Sequence, residues 1–311
     1  MVSVFIDPAI PDEARRNRLF AGDIFILSPT AGTRALIGLG RAMLEEAFAP
    51  HSPIEVHESK TPEEVASILG RVKPQFIHHP ECKRIIPQIM REHDIELEKL
   101  YFDVPRLRSA YPSHFLSSGI AYAFHPHRDT WYSAPMFQLN WWLPIYPLDP
   151  NNAMAFYPGH FDEGIENSSG SFNYYEWNTK NRATAVAHIK SDTREQPKAL
   201  QELDAVTVRL LPPPGGIVLF SGAQLHETVR NTTDVARYSI DFRTVHIDDA
   251  IKHGGAVNVD SRCTGTTLRD YLRASDLAHL PQELIAQYDD ESANTKGILY
   301  FGDRLLGSVK L

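Results

Sequence analysis

Cysteine is nearly absent: Cys82 and Cys263 are the only two in 311 residues. Two thiols without CxxC or zinc-finger spacing cannot build a disulfide framework, so a reducing cytoplasmic setting is expected. A basic excess is also lacking. The formal net charge is −8, which argues against a nucleic-acid partner, although a local cationic pocket can sit in an acidic protein. No apolar run approaches the ~18 residues that a membrane span needs. The first residues, Met1 to Asp7, show neither a basic n-region nor an apolar h-region, so no secretory signal is expected. Repeats and low-complexity linkers are missing too. What remains is an ordinary globular composition, 42% hydrophobic and 23% charged, in a chain long enough to bury a sizeable core. The expected partner is a small molecule, not nucleic acid or membrane.

The chain reads as one domain over 1–311 in three parts. Residues 1–100 are mixed and mainly helical, a support for the β-rich middle. A strand is expected over Phe20–Leu27, then apolar residues recur at helical spacing from Leu36 to Phe48. Thr61-Pro62-Glu63-Glu64 is a helix start with a capping box, Thr61 closing on Glu64. Ile85, Ile86, Ile89 and Met90 suggest another helix, bent or restarted at Pro87. Residues 101–247 turn to β-branched and aromatic runs broken by Pro, Gly and Asn. Strands are expected at Tyr101–Ser109, Ala121–His127, Met136–Ile145, Ala153–Tyr157, Val206–Leu211, Gly216–Phe220, Leu225–Val229 and Arg237–Val245. Eight short strands so punctuated predict a mostly β fold with flanking helices, a double-stranded β-helix or jelly roll of cupin type. A polar insertion at about 161–205, carrying Tyr174, Tyr175 and Trp177, has the length of a functional lid. Residues 248–311 form a C-terminal extension, with helix-like text at Leu268, Tyr271 and Leu272 and again over Pro281–Tyr288.

One stretch carries chemistry. In His125-Pro126-His127-Arg128-Asp129, alternate side chains of an extended segment face the same way, so His127 and Asp129 can reach one metal ion. His226 follows the apolar run Gly216–Phe220, where another strand begins. Two imidazoles and a carboxylate form a facial set that leaves coordination positions open, as in mononuclear non-haem Fe(II) sites. Open positions do chemistry, whereas a closed four-ligand site mostly holds structure. His125 competes, since a His125/His127 pair would suit a cupin, but a cupin then needs a nearby Glu and finds Thr130, Trp131 and Tyr132. Eleven residues past His226, Arg237 shares a strand face with Ser239, Asp241 and Arg243, a polar face suited to an anionic ligand.

Together these residues resemble the Fe(II)/2-oxoglutarate-dependent dioxygenases, most closely the phytanoyl-CoA hydroxylase-like branch. His127, Asp129, His226 and Arg237 match that pattern in order and spacing. Asn152–His160 resembles the branch's strand ending in Pro-Gly-Ser-His, without the Ser, and Pro214–Phe220 resembles its Gly-Asp-Val-Leu-Leu-Phe run. The resemblance covers about residues 100–247. It implies that His127, Asp129 and His226 hold Fe(II) and that Arg237 binds the distal carboxylate of 2-oxoglutarate. O2 is then the second co-substrate, and succinate and CO2 are products. The related halogenases have a small residue in place of the carboxylate, so Asp129 favours hydroxylation.

Further candidates come from strand faces. Ser239 lies beside Arg237 and can add a hydrogen bond. Gln138, Asn140 and Trp142 share a face, with Gln138 and Asn140 either binding 2-oxoglutarate or forming a polar outer surface. Arg106 and Arg108 share another face, either as ion-pair partners or as contacts for an anionic or polyhydroxylated substrate. Trp131 and Tyr132 either wall the pocket or pack on the barrel edge. The alternative functions are another cupin-type metal enzyme, such as an isomerase or a 2-oxoglutarate-independent dioxygenase, and a metal-free ligand-binding jelly roll.

Overall fold

A computed structural model describes residues 2–117, 125–181, 196–203 and 206–289. The N-terminal part holds β1 (Val4–Ile6), α1 (Asp12–Phe20), β2 (Ile24–Leu27), α2 (Ala31–Phe48), α3 (Pro62–Ile77) and α4 (Pro80–Glu92). The expected strand over Phe20–Leu27 begins only at Ile24, because Phe20 still belongs to α1 and Gly22, at φ 98°, makes the turn. The capping box forms at α3: Thr61 N–H donates to Glu64 Oε2 at 2.8 Å, and Glu64 N–H donates to Thr61 Oγ1 at 3.3 Å. Helix α4 runs through Pro87 without restarting.

The β region supplies β3 (Leu100–Phe102), β4 (Arg106–Ala110), β5 (Leu139–Pro144), β6 (Met154–Phe156), a short helix α5 (Tyr174–Glu176), β7 (Val208–Leu210), β8 (Ile217–Ser221), β9 (His226–Thr228) and β10 (Arg237–His246). The single strand expected at Tyr101–Ser109 is two strands. Asp103-Val104-Pro105 interrupts it, and Pro105 has no N–H for a ladder. Residues 121–124 of the strand expected at Ala121–His127 lie outside the described residues. The tail adds α6 (Ile247–Ile251), β11 (Leu272–Arg273) and α7 (Gln282–Ile285). Its helix-like text at Leu268–Leu272 resolves into a 3-10 turn, Thr267–Asp270, followed by β11.

Two sheets face each other in a jelly roll of cupin type. The larger has eight strands in the order β1-β2-β8-β5-β10-β3-β11, with β4 also on β10, and the smaller runs β7-β6-β9. The larger sheet thus takes strands from both flanking parts as well as from 101–247. Strand β10 is its middle: β5 pairs along one side, while β4 and then β3 pair along the other.

Period-two alternation assigns the two faces of β10. Tyr238, Ile240 and Phe242 join Trp141 and Leu143 of β5 in a core against α2, α3 and α4, built around Leu36, Leu69, Phe76 and Ile86. The opposite face carries Arg237, Ser239, Asp241 and Arg243. Between the sheets, Trp142, Val218 and Phe220 meet Met154 and Phe156 in a second apolar cluster. The polar face of β10 therefore opens onto the space between the sheets, where a site can form.

Candidate metal centre

His127 pairs with His226 at the start of β9. Each donates its backbone N–H to the other's carbonyl at 3.0 Å, an isolated antiparallel bridge. Their rings stand 4.4 Å apart at the centroids. His127 Nδ1 pairs with the His125 carbonyl at 2.8 Å, and His226 Nδ1 with the Gln224 carbonyl at 3.0 Å. Each Nδ1 must carry the proton to donate, which leaves each Nε2 with a lone pair. Asp129 completes the group: one ligand atom from each of the three residues lies within 4.8 Å of the others. Among the described residues this is the one such cluster of His, Cys, Asp and Glu.

Arg128 stays extended at φ −109°, ψ 143°, so His127 and Asp129 keep the same side, as alternation requires. Arg128 itself points away and is 1% exposed. It donates from Nε to Asp260 at 3.1 Å, from Nη1 to the Ala223 carbonyl at 2.5 Å and from Nη2 to the Glu163 carbonyl at 2.9 Å. One side chain thus ties together the loops that carry the ligands. His125 gives the site its carbonyl alone. Its side chain is exposed and borders a separate surface cleft with Tyr157 and Lys198.

The electrostatics suit a cation. Burial pushes the Asp129 carboxyl up, but the Arg243 guanidinium and the two imidazoles outweigh it and hold it well below the ordinary carboxylate range. Burial, with His127 alongside, pushes His226 down to about 4, so its ring is neutral at pH 7. Neutral imidazoles and an ionised carboxylate are the forms that bind metal. With two nitrogens and one oxygen as donors, the cluster fits Fe(II) and leaves positions open.

A cavity of about 370 Å³ runs from the triad along the polar face of β10. Arg237 lies in it, buried, with its guanidinium carbon 5.5 Å from the centre of the Trp142 ring. Its Nε and Nη1 have no hydrogen-bond partner, and neither does the buried Ser239 Oγ. Burial pushes the guanidinium down to about 10, with Asp241 opposing and Arg108 adding to the shift.

Other candidates fall differently. Arg106 and Arg108 do line the cavity, but each is committed to a carboxylate. Arg106 pairs with Asp103, and Arg108 with Asp241 at 2.6 Å. Both are ion-pair partners on the cavity wall. Trp131 does not wall the pocket. It is 0% exposed and donates to Asp260 at 2.7 Å. Residues Asp129–Tyr132 form a 3-10 turn, in which positions three apart eclipse. Asp129 and Tyr132 therefore share the cavity side, and Trp131 turns into a cluster with Tyr157, Ile165 and Leu225. Tyr132 meets the His127 ring edge-on at 5.5 Å. Gln138 and Asn140 face inward, and Gln138 donates to Asp129 Oδ2 at 3.1 Å and to Asn140 Oδ1 at 2.9 Å. Gln138 has no amide proton left for a cofactor.

Other residues complete the site, and Lys73, Phe172 and Gln196 among them were not singled out from sequence. Arg243 Nε lies 3.5 Å from Asp129 Oδ2; alternation had placed it on the polar face of β10, but not against this carboxylate. Lys73 reaches the cavity from α3 and is pushed down to about 7 by burial and by Arg108. Phe172 and Gln196 of the insertion also line it, beside Tyr174 and Trp177, the aromatics that the sequence had marked there. Tyr174 is fastened to Asp270, and Tyr175 donates to Asp289 at 2.8 Å. Residues 182–195 and 204–205 of the expected lid lie outside the described residues.

The fold and the open triad define a mononuclear metal enzyme on a jelly roll. The chain belongs to the phytanoyl-CoA dioxygenase family, PhyH, whose profile matches residues 30–239. It is an enzyme of the Fe(II)/2-oxoglutarate-dependent oxygenase superfamily. No curated protein matches the chain. Among solved structures, EvdO2 from Micromonospora carbonacea var. aurantiaca is similar at 15% identity and TM-score 0.44, over 76% of this chain and 92% of its own. The non-heme monooxygenase ThoJ is similar at 13% identity and TM-score 0.41, over 90% and 86%. The non-heme alpha ketoglutarate dependent epimerase SnoN from nogalamycin biosynthesis is similar at 13% identity and TM-score 0.36, over 76% and 84%. No helix among the described residues is long and apolar enough to cross a membrane.

Proposed function

We propose that this enzyme hydroxylates a small molecule, with His127, Asp129 and His226 holding Fe(II) and Arg237 holding 2-oxoglutarate. The supporting observation is the buried guanidinium of Arg237, unpartnered at Nε and Nη1, in the same cavity as an open metal triad. A buried donor without an acceptor is costly, and a charged one more so. A ligand carboxylate would satisfy both nitrogens through parallel hydrogen bonds, and Ser239 Oγ would add a third.

When bound, Fe(II), 2-oxoglutarate and O2 supply oxidative decarboxylation to succinate and CO2, together with an oxidant for a substrate C–H bond. The protein's own tasks are orientation and exclusion of water. His127 and His226 would each offer Nε2, and Asp129 one oxygen. Trp142 lies against Arg237, and Met154 and Phe220 add apolar surface to the same cavity, a setting that strengthens a cation's grip on an anion. Asn140, whose Oδ1 already accepts from Gln138, can contribute to a cofactor only as a donor from Nδ2. Tyr132, Phe172 and Trp177 wall the substrate side. Asp129 in the carboxylate position favours oxygen transfer over halogen transfer. Both cysteines are free, which suits the cytoplasm.

The test is anaerobic. Fe(II) with 2-oxoglutarate should give a weak visible charge-transfer band, and O2 should then release succinate, fastest with the true substrate in a metabolite panel. A protein that binds Fe(II) but neither shows the band nor releases succinate would overturn this reading in favour of another metal-dependent reaction.

A further inference from the structure

We infer that Gln138 and Tyr271 are positioning residues that hold Asp129 as a one-oxygen metal ligand. The inference rests on His127, Asp129 and His226 being the metal centre. A carboxylate can bind a metal through one oxygen or two. Two would fill one of the three positions that the triad leaves for 2-oxoglutarate and O2. The two oxygens of Asp129 are not equivalent here. Oδ1 faces the imidazoles, 3.5 Å from His127 Nε2. Oδ2 is held from the other side, by Gln138 Nε2 at 3.1 Å and by Arg243 Nε at 3.5 Å.

Gln138 can serve only if its amide has the right orientation. A flipped amide would set Oε1 against Asp129 Oδ2 and Asn140 Oδ1, three acceptors with no proton between them. Tyr271 prevents this. Its buried hydroxyl donates to Gln138 Oε1 at 2.7 Å. Burial, reinforced by Asp103, raises the Tyr271 pKa well above its ordinary value, so the phenol keeps its proton. The Gln138 backbone is fixed as well, because Gly222 N–H donates to its carbonyl at 2.9 Å. Every polar atom of the Gln138 side chain is thus committed. Tyr271 lies outside the residues 30–239 that the family profile matches, so a segment beyond that match sets the geometry of the centre.

The experiment titrates the metal-free full chain with Co(II), whose visible bands report coordination number. Gln138→Leu should weaken Co(II) binding by roughly 10- to 100-fold, the usual cost of losing such a supporting contact. Tyr271→Phe, which keeps the ring in its packing, should weaken it several-fold. Both should change the band intensity as Asp129 turns to offer its second oxygen. Because Tyr271 acts through Gln138, the double variant should bind no more weakly than Gln138→Leu alone. Thermal unfolding establishes that each variant is folded, and Tyr271→Phe decides the matter if Gln138→Leu is not. Unchanged affinity and spectrum in folded Tyr271→Phe would overturn the inference. Failure of the unsubstituted protein to bind Co(II) would instead overturn the metal-centre reading.

Discussion

Arg237 stacks over Trp142, 5.5 Å from guanidinium carbon to ring centre, and reaches no acceptor with Nε or Nη1. Replacing it with Ala should leave Fe(II) affinity almost untouched and raise the KM for 2-oxoglutarate. The loss of charge-assisted contacts is about 2–4 kcal/mol. Titrating the anaerobic charge-transfer band with 2-oxoglutarate measures it. An unaltered KM would move the carboxylate site to another cation of the cavity.

His226 pairs through its backbone with His127, and its ring joins the His127–Asp129 cluster. His226→Ala keeps the backbone bridge, so circular dichroism should be unchanged while Fe(II) binding and turnover vanish. Calorimetric titration with Fe(II) under nitrogen checks this. Retained binding would take His226 out of the centre.

Arg128 and Asp260 are a buried pair between loops. Arg128→Ala leaves Asp260 buried with a single side-chain donor in Trp131 and frees the carbonyls of Ala223 and Glu163. Breaking a buried pair from one side costs about 3–5 kcal/mol. Urea unfolding at neutral pH should show a loss of that order, with a smaller one for Asp260→Asn.

His246, at the end of β10, caps α6 by accepting Asp248 N–H at its Nδ1. Accepting requires an unprotonated nitrogen. Burial and the nearby Arg16 lower its pKa from the ordinary 6.5, while Asp249, Asp12 and Asp248 oppose the shift. With the folded pKa depressed, the unfolded chain binds more protons below pH 6.5. The contribution is therefore whole above that pH and is lost as pH falls through the folded value. Urea midpoints should drop more steeply between pH 7 and 5 than in His246→Asn, which caps without titrating. Parallel curves would refute this.

The Trp177 and Phe172 rings meet at 6.0 Å, tilted by 40°, on the wall of the cavity. Trp177→Ala should let water reach the centre, so that succinate forms faster without substrate while 2-oxoglutarate affinity holds. Oxygen uptake in the absence of substrate reads the effect. Unchanged background uptake would show that this wall does not seal the site.

The His127–Asp129 pair of the candidate centre and the polar face of β10 were legible because short-range geometry decides them. A two-residue spacing on extended backbone puts His127 and Asp129 together, and strict alternation puts Arg237, Ser239 and Asp241 on one side. The same logic failed one turn later. Trp131 follows a 3-10 period, which nothing in Asp129-Thr130-Trp131-Tyr132 announces. For Arg106 and Arg108 the sequence left ion pairing and substrate contact both open, because Asp103 and Asp241 reach them only through the pairing of β4 with β10 and the bend before it. Tyr271 read only as part of a helix-like stretch and carried no signal for the site. Its role exists only because β11 joins β3 and brings the C-terminal segment behind Gln138.

Strand β10 is the seam of the larger sheet, and it comes late in the chain. Until residue 246 has left the ribosome, β5 on one side and β3 and β4 on the other have no common neighbour. At about 5–20 residues per second, the earlier strands wait many seconds with unpaired edges, which are templates for pairing with another chain. Such distant pairings are also slow to form. A chain cut before Arg237 should therefore accumulate as aggregate or chaperone complex, and expression of the enzyme should be more sensitive to late truncation than to point changes in its pocket.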